Sequence, residues 1–263
     1  MKRIDLQPAY VLHTRPYRDT SALVDLLSLD YGLLRAVARG VRGKTSRKRS
    51  AIQAFQPLLV SLSGRGELLS LNQAEHAAPG FHLQGDRLFS ALYLNELLMR
   101  LLHAQDAQPG IYRLYQQALI RLQQQGPLET CLRCFEFMLL QELGYAWDLH
   151  VDAISGEALQ PQLDYLFDPA HGYQALLSPP TERAQNLFTG AELIQFATVI
   201  TQAEDGQAAA DNAAKRLMRQ ALRPHLGAKP LLSRSLFAAK TAPRTLSDAD
   251  TAGSVLPPED NKG

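Results

Sequence analysis

One short stretch, ARGVRGKTSRKRS at residues 38–50, concentrates residue types that bind phosphate. Gly43, Lys44 and Thr45 follow Ala38 at the spacing of a relaxed nucleotide-binding P-loop, in which backbone N–H groups and a lysine hold the phosphates of ATP. The stretch is also rich in arginine and lysine, which bind the phosphates of a nucleic-acid backbone. Its chemistry is therefore phosphate binding, and the two candidate ligands are a nucleotide and a nucleic acid.

A P-loop requires a strand, a glycine-rich loop and a helix in immediate succession, so that the helix N-terminus faces the phosphates. Here a strand precedes the loop, but the polar residues 46–50 and the run AIQAFQP leave no room for an amphipathic helix. Ala38 also stands where the motif has its first glycine. The pattern therefore disfavours ATP, and a solvated loop with incidental charge is a further alternative.

Seven cations without an intervening acid favour a nucleic-acid backbone as the ligand. The whole chain has 27 Lys+Arg against 26 Asp+Glu, a net charge of +1, so this basic field is local. Aromatic rings nearby would stack bases if they faced outward, although the core is the favoured place for each; they are Tyr10, Tyr17, Tyr31 and Phe55. The predicted nucleic-acid-binding residues are Arg35, Arg39, Arg42, Lys44, Arg47, Lys48 and Arg49.

Other chemistry-bearing residues give weaker signals. Cys131 and Cys134 have the spacing of half a zinc site, but the chain has only these two cysteines, so structural thiols are favoured. His150, Asp152 and His171 lie in one turn-rich region without the spacing of a metal motif. No metal or cofactor is predicted, and the lack of hydrolase and dinucleotide motifs favours a protein that is not an enzyme.

A second basic stretch follows residue 214. The default interpretation of this stretch is a solvated helix face, and the more specific interpretation is a surface that binds a partner. The residues are Lys215, Arg216, Arg219, Arg223, Lys229 and Arg234.

Residues 8–75 predict strands, because short apolar runs alternate with turn residues. The runs are AYVLHTR, SALVDLLSL, LLRAVAR, PLLVSLS and ELLSLNQAE. Five strands in a stretch of this size predict an OB-type barrel, and an SH3-like barrel has nearly the same pattern. The first domain is accordingly predicted to span residues 1–80.

From residue 81 the hydrophobic period becomes 3.6, which predicts a helical domain over 81–237 and an α+β fold overall. Three helices are expected first, the earliest with Asp86 as its N-cap and the third between Pro127 and Gly144. A small turn-rich insert with short strands follows at about 151–178, and helices resume at 181–188, 190–204 and 207–226. Residues 238–263 have too little apolar surface to offset their ordering entropy and are predicted to be disordered.

The expected compartment is the cytoplasm, in association with the nucleoid. The start, MKRIDLQPAYVL, lacks the apolar core of a secretion signal. The richest apolar stretch carries Asn95, Glu96 and Arg100, which a bilayer interior would penalise. Two cysteines are too few for a disulfide framework, in keeping with a reducing compartment.

Several stretches, taken in order, resemble the bacterial recombination mediator family RecO. They are AYVLHTRPYRDTS, YGLLRAVARGVRGKTS, FQPLLVSLSGRGEL, LYLNELLMRLL, LRCFEFMLLQELGY and GAKPLLSRSLF, and they cover most of residues 9–237. The resemblance implies an N-terminal OB-fold and a C-terminal helical domain. It also implies a protein that binds single- and double-stranded DNA, anneals complementary strands, acts with RecR, and helps RecA replace single-stranded-DNA-binding protein (SSB), without consuming a cofactor.

The resemblance also bears on two residue-level predictions. Some family members have two Cys-x-x-Cys pairs in the insert, whereas residues 145–180 here contain no cysteine, so this chain resembles the zinc-free branch. Arg133, in LRCFE, matches the basic position of the family's LRRFE-like segment at the pocket for the SSB C-terminal tail. Cys134 replaces the second arginine of that segment, which implies a less basic pocket. Without the resemblance, a surface helix cation would be an equal interpretation of Arg133.

Two function classes follow. The leading one is a non-enzymatic DNA repair mediator whose barrel and 35–49 segment hold DNA and whose helical domain docks proteins. The alternative is an RNA-binding OB-fold protein of RNA metabolism, which composition and periodicity permit equally. An enzyme that uses the Gly43-Lys44-Thr45 loop is the third possibility.

Overall fold

The computed structural model describes residues 2–41, 52–124, 126–178, 184–202, 210–233 and 235–236. Its N-terminal part is a closed five-stranded barrel in the order β1-β2-β3-β5-β4, with β1 pairing to β4. The strands are β1 (Lys2–Tyr17), β2 (Ser21–Ser28), β3 (Gly32–Ala38), β4 (Leu58–Gly64) and β5 (Leu68–His76). All neighbours are antiparallel except β3 and β5, which are parallel. This closed Greek-key order confirms the OB-type prediction.

The barrel interior is filled by small and branched side chains. Val24, Leu26, Leu34, Ala36 and Val60 are fully buried there, and they alternate with residues that face outward. The five predicted strands are therefore confirmed, but β1 begins earlier than expected. Its first residues pair with β4 across a break in register between Ile4 and Gln7, which the polar sequence concealed.

Five helices follow in the described part of the chain. They are α1 (Gly85–Leu101), α2 (Pro109–Gln123), α3 (Leu128–Glu142), α4 (Gly190–Thr201) and α5 (Asn212–Leu226). A small antiparallel sheet lies between α3 and α4, with β6 (Asp164–Asp168) flanked by β7 (Gly172–Ala175) and β8 (Leu187–Thr189). The predicted fold class, a barrel followed by helices with a strand-containing insert, is confirmed.

Two local predictions are wrong. Leu187 and Phe188 were expected in a helix over 181–188, but they form β8, since they pair with Leu166 and Tyr165 and the Phe188 ring packs 6.5 Å from that of Phe167. Asp86 is not an N-cap, because α1 already begins at Gly85 and Asp86 lies in its first turn. Residues 181–183, 203–204 and 207–209 of the predicted helices, and the tail 238–263, lie outside the described residues.

The barrel and the helices share one continuous apolar core. Tyr10 and Leu27, on the outer side of the barrel, pack in it, and the Tyr10 ring lies 5.3 Å from that of Tyr115. Buried Asn95 on α1 donates to the carbonyl of Leu12 at 2.9 Å and accepts from the Tyr115 hydroxyl at 2.6 Å. These contacts leave only part of the outer barrel surface exposed.

Gly32 illustrates how closely the two parts approach. It has a φ of 62°, and a Cβ at this position would collide with the backbone carbonyl of Asp106. The adjacent Leu33 carbonyl accepts a hydrogen bond from the Gln105 N–H at 2.9 Å. Glycine is therefore required here both by conformation and by space.

Candidate nucleic-acid and peptide interfaces

The outer surface of β1, β2 and β3 that the helices leave uncovered is basic. His13 of β1 lies opposite Asp25 of β2, which lies opposite Arg35 of β3. Two residues further along, Arg15 lies opposite Leu23, and because the side-chain period of a strand is two, it projects from the same face. We call this surface, with the adjoining turn residues, the basic barrel face; its exposed members are His13, Arg15, Arg18, Arg35 and Arg39.

Asp25 organises the centre of this face. Its carboxylate is almost completely buried, and it accepts from Arg35 Nε at 2.6 Å, while His13 Nδ1 lies 3.5 Å away. About half of the Arg35 side chain, 48%, remains exposed. The ion pair therefore holds Arg35 in place while about half of its side chain stays accessible to solvent, which suits a phosphate contact.

Two of the seven predicted nucleic-acid-binding residues lie in the described part of the chain. Arg35 is on β3, and Arg39 is in the turn that follows this strand, so both lie on the basic barrel face. The other five lie outside the described residues, together with the Gly43-Lys44-Thr45 motif. They are Arg42, Lys44, Arg47, Lys48 and Arg49.

Sequence reasoning missed His13, Arg15 and Arg18 as members of this face. The available signal was the alternation in HTRPYR, which places His13, Arg15 and Tyr17 on one side of a strand. Tyr17 is half-buried with the Arg18 guanidinium 5.3 Å from its ring centroid, so of the four aromatic candidates it is the one that lies beside these cations. Tyr10 and Phe55 are core residues, as favoured.

A cleft of about 240 Å³ lies between α3 and α5, on the helical part. Its apolar walls are Tyr93, Leu128 and Leu132, and its charged residues are Glu129, Arg133, Lys215 and Arg219. Three cations thus face one acid around an apolar interior. We call it the α3–α5 cleft.

Arg133 is fixed inside this cleft by two carboxylates. Its Nη1 lies 2.9 Å from Glu136, which is fully buried and also accepts from the Tyr93 hydroxyl at 2.6 Å. Its Nη2 lies 3.6 Å from Glu129, which pairs in turn with Lys215 at 3.2 Å. Only 6% of Arg133 is exposed, so the surface-cation interpretation is wrong.

The second basic stretch divides between two environments. Lys215 and Arg219 are exposed at the α3–α5 cleft, one turn apart on α5. Arg216 faces another way, because it donates to the Leu187 carbonyl at 3.0 Å and its guanidinium lies 4.3 Å from the Phe188 ring centroid. The exposure of Lys215 and Arg219 beside the cleft fits both interpretations of this stretch, the solvated face and the partner surface.

Comparisons with known proteins identify the family. The family model described as "Recombination protein O N terminal" matches residues 1–79, and "Recombination protein O C terminal" matches residues 82–235. The chain belongs to the RecO family of DNA repair proteins.

Individual relatives agree with this assignment. The "DNA repair protein RecO" of Pseudomonas paraeruginosa is 48% identical over 231 residues, which cover 88% of this chain and 94% of the relative. That of Stutzerimonas stutzeri is 47% identical, with 88% and 92% covered. That of Vibrio cholerae is 41% identical over 244 residues, with 92% and 97% covered.

The cysteines of this RecO-family chain are buried, as favoured. Each thiol donates to a backbone carbonyl, Cys131 to Ala118 at 3.8 Å and Cys134 to Val199 at 3.7 Å. Burial raises the pKa of both thiols to about 11. Neither is therefore poised as a nucleophile at neutral pH.

The insert residues weighed for metal binding have other partners. Asp152 accepts from backbone N–H groups, among them those of Ile154 and Ala175, and His171 pairs with Asp168 at 2.9 Å. Within the described ranges, no cluster of three or more potential metal ligands occurs. In the same ranges, no helix has the length and hydropathy needed to span a bilayer.

Proposed function

We propose that this protein is a non-enzymatic mediator of DNA repair and recombination. The basic barrel face and the 35–49 segment bind single- and double-stranded DNA and anneal complementary strands. With RecR, the protein helps RecA load onto single-stranded DNA coated with SSB. In this proposal residues 1–80 are the DNA-binding domain, residues 81–237 are the partner-docking domain, and residues 238–263 are a tail.

The observation that carries the DNA proposal is the continuity of charge on the barrel. Arg35 lies on the exposed side of β3 and Arg39 in the turn after it, and the next ten residues of the sequence contain five further cations. Arg15 lies on the neighbouring part of β1, and Arg18 lies in the turn that follows β1. Cations that are close together in this way release counterions from a nucleic-acid backbone without reading its sequence. Neutralising the charge of two strands at once removes the repulsion that opposes their pairing, which is how binding leads to annealing.

The partner proposal rests on the α3–α5 cleft. An acidic peptide that ends in an apolar residue requires cations beside an apolar interior, and Arg133, Lys215 and Arg219 provide them around Leu132 and Tyr93. We therefore propose that this cleft binds the C-terminal tail of SSB. Membership of the RecO family supports this use of the site.

An annealing assay tests the DNA proposal. Two complementary oligonucleotides carry a donor and an acceptor dye, and their pairing is followed with and without protein. We expect the Arg15→Gln, Arg18→Gln and Arg39→Gln triple variant to anneal at least several-fold more slowly than the wild type. Wild-type rates in this variant would contradict the proposal.

Competition separates the alternatives. If the protein acts on DNA, unlabelled single-stranded DNA displaces a bound DNA probe at least as well as RNA of the same sequence. Preferential displacement by RNA would instead favour the RNA-metabolism alternative. Loss of an ATP hydrolysis activity in Lys44→Ala alone would favour the nucleotide loop, since a P-loop lysine is indispensable.

A further inference from the structure

Residues 229–233, near the end of the described part of the chain, are hydrogen-bonded to α1. The Glu96 carboxylate accepts from the Leu232 N–H at 2.9 Å and from the N–H and hydroxyl of Ser233 at 2.8 and 2.7 Å. One turn later, Arg100 donates to the carbonyls of Lys229 and Pro230. The start of the C-terminal segment is thus fixed in position.

This attachment point lies next to the α3–α5 cleft. Tyr93, a wall of the cleft, precedes Glu96 by three residues on α1, and residues with this spacing are neighbours on a helix surface, with Cβ atoms about 5–6 Å apart. Lys215 and Arg219, the exposed cations of the cleft, are on α5, the helix that leads into this stretch. Leu232 and Ser233 are therefore held at Glu96, within one helical turn of a residue that lines the cleft.

The sequence of that segment has the chemistry that the cleft fits. Residues 246–260, LSDADTAGSVLPPED, contain no cation, an apolar pair at Val255 and Leu256, and four acids, which are Asp248, Asp250, Glu259 and Asp260. The segment lies beyond residue 235, where the family match ends. It is therefore a feature of this chain that the family match does not cover.

The connection is long enough to reach the cleft. Asp248, the first acid of the segment, lies twelve positions after Leu236. A linker of this length spans about 19 Å on average as a flexible chain, and at most about 40 Å when extended. A segment tethered at this distance has a local concentration on the order of 1 mM.

We propose that residues 246–260 occupy the α3–α5 cleft of their own chain and compete there with acidic peptides from partners. The acids face Arg133, Lys215 and Arg219, and the Val255–Leu256 pair covers the apolar wall. This inference rests on the proposed function, because it assumes that the cleft takes acidic peptides. The apparent affinity of the cleft for a partner's tail is then lowered, because that tail must displace the chain's own segment.

The test uses the chain of residues 1–263 with the four acids of the 246–260 segment neutralised. The substitutions are Asp248→Asn, Asp250→Asn, Glu259→Gln and Asp260→Asn. The control neutralises four exposed acids elsewhere, as Asp30→Asn, Glu67→Gln, Asp148→Asn and Glu157→Gln. The probe is a fluorescein-labelled peptide of the SSB C-terminal tail, and its anisotropy is titrated with each protein. If the free segment binds with a dissociation constant of about 0.2 mM, a local concentration of about 1 mM weakens probe binding about sixfold, so the tail variant should bind the probe about sixfold more tightly than the wild type. The control should match the wild type.

A second arm adds a synthetic 246–260 peptide to the tail variant, where we expect it to displace the probe. Equal probe affinity of wild type and tail variant would overturn the cis contact and leave the cleft's proposed role standing. No probe binding by either protein would overturn both. A tail variant that gains DNA affinity without gaining probe affinity would overturn the cis contact and place the acidic segment on the basic barrel face instead.

Discussion

Arg133 and Glu136 form an ion pair that is almost completely shielded from water, with 2.9 Å between Nη1 and the carboxylate. Such a pair contributes little net stability, but removal of one partner leaves the other charge buried and uncompensated. Arg133 thus contributes to the stability of the fold, in addition to any contact with a peptide. A charge reversal at Arg133 would disturb both, so it is a poor probe of the cleft.

We expect Arg133→Met to lower the free energy of unfolding by about 3–5 kcal/mol, because Glu136 loses its counter-charge. The double variant Arg133→Met/Glu136→Leu should recover part of that loss, since neither charge then remains buried and only the hydrogen bond from the Tyr93 hydroxyl to Glu136 is lost in addition. Urea denaturation of the two variants measures the difference. A loss of less than about 1 kcal/mol in Arg133→Met would show that the pair is not shielded as described.

Lys215 and Arg219 are the cleaner probes of peptide binding, since both are exposed. The Lys215→Ala/Arg219→Ala variant should bind the SSB tail peptide at least tenfold more weakly, because each charge-assisted contact contributes about 1.5–3 kcal/mol. Its unfolding midpoint and its affinity for DNA should match those of the wild type. Arg223→Ala, on the same helix outside the cleft, is the control. Peptide affinity unchanged in the double variant would exclude the cleft as the peptide site.

The two thiols make a third prediction at this scale. Because burial raises their pKa to about 11, less than about one thiol in a hundred is ionised at pH 8, and only the thiolate reacts. Ellman's reagent should therefore modify Cys131 and Cys134 of the folded protein far more slowly than free cysteine, and at the free rate in denaturant. The raised pKa also stabilises the fold below pH 9, and this stabilisation is lost as the pH rises toward 11. Rapid modification of the folded protein would contradict the burial of the thiols.

Among the elements, α1 connects the two parts of the molecule. Asn95 is the buried polar link, since its side chain bonds both the Leu12 carbonyl of β1 and the Tyr115 hydroxyl of α2. The rings of Tyr10 and Tyr115 pack beside it. The barrel is therefore held to the helices by hydrogen bonds with defined geometry as well as by apolar contact.

Asn95→Leu should cost about 2–4 kcal/mol of stability, because it leaves a buried carbonyl and a buried hydroxyl without partners. Tyr115→Phe, which removes only the hydroxyl, should cost clearly less. Thermal and urea unfolding of both variants test this ordering. Equal stability of Asn95→Leu and the wild type would contradict the link.

Periodicity predicted most elements, and where it failed the cause was tertiary. The strands and helices with a clear period of 2 or 3.6 were found within a few residues. Leu187 and Phe188 have no local signal for a strand, because their partners are more than 20 residues earlier in β6. The early part of β1 was missed because Asp5, Gln7 and Pro8 interrupt its alternation at a break in register.

The sites were predicted less completely than the fold. Arg35 and Arg39 are predicted together because their charge belongs to a run along the chain, whereas His13 and Arg15 come to lie on the same barrel face only through strand pairing. The α3–α5 cleft unites Arg133 with Lys215, which lies 82 residues later and whose link to it runs through Glu129. Sequence spacing contains no information about such a contact.

At the scale of the whole molecule, the two interfaces occupy different parts of the chain. The basic barrel face is on β1–β3, and the α3–α5 cleft is among the helices. The proposed mediator role requires this separation, since in that proposal the protein holds DNA while it binds the protein that covers the DNA. Variants in one interface are therefore expected to leave the other unchanged.

The central claim is that the basic barrel face binds DNA through its phosphates, and the salt dependence of binding tests it most directly. Single-stranded DNA affinity is measured by anisotropy over a series of salt concentrations for three proteins. They are the wild type, the Arg15→Gln/Arg18→Gln/Arg39→Gln variant, and a control with the exposed cations Arg113, Arg223 and Lys229 changed to Gln.

Each phosphate contact on a single strand contributes about −0.7 to the slope of log affinity against log salt. We therefore predict that the barrel-face variant flattens the slope by about 2 units, while the control keeps the wild-type slope. A barrel-face variant with the wild-type slope, or a control that flattens it equally, would contradict the account.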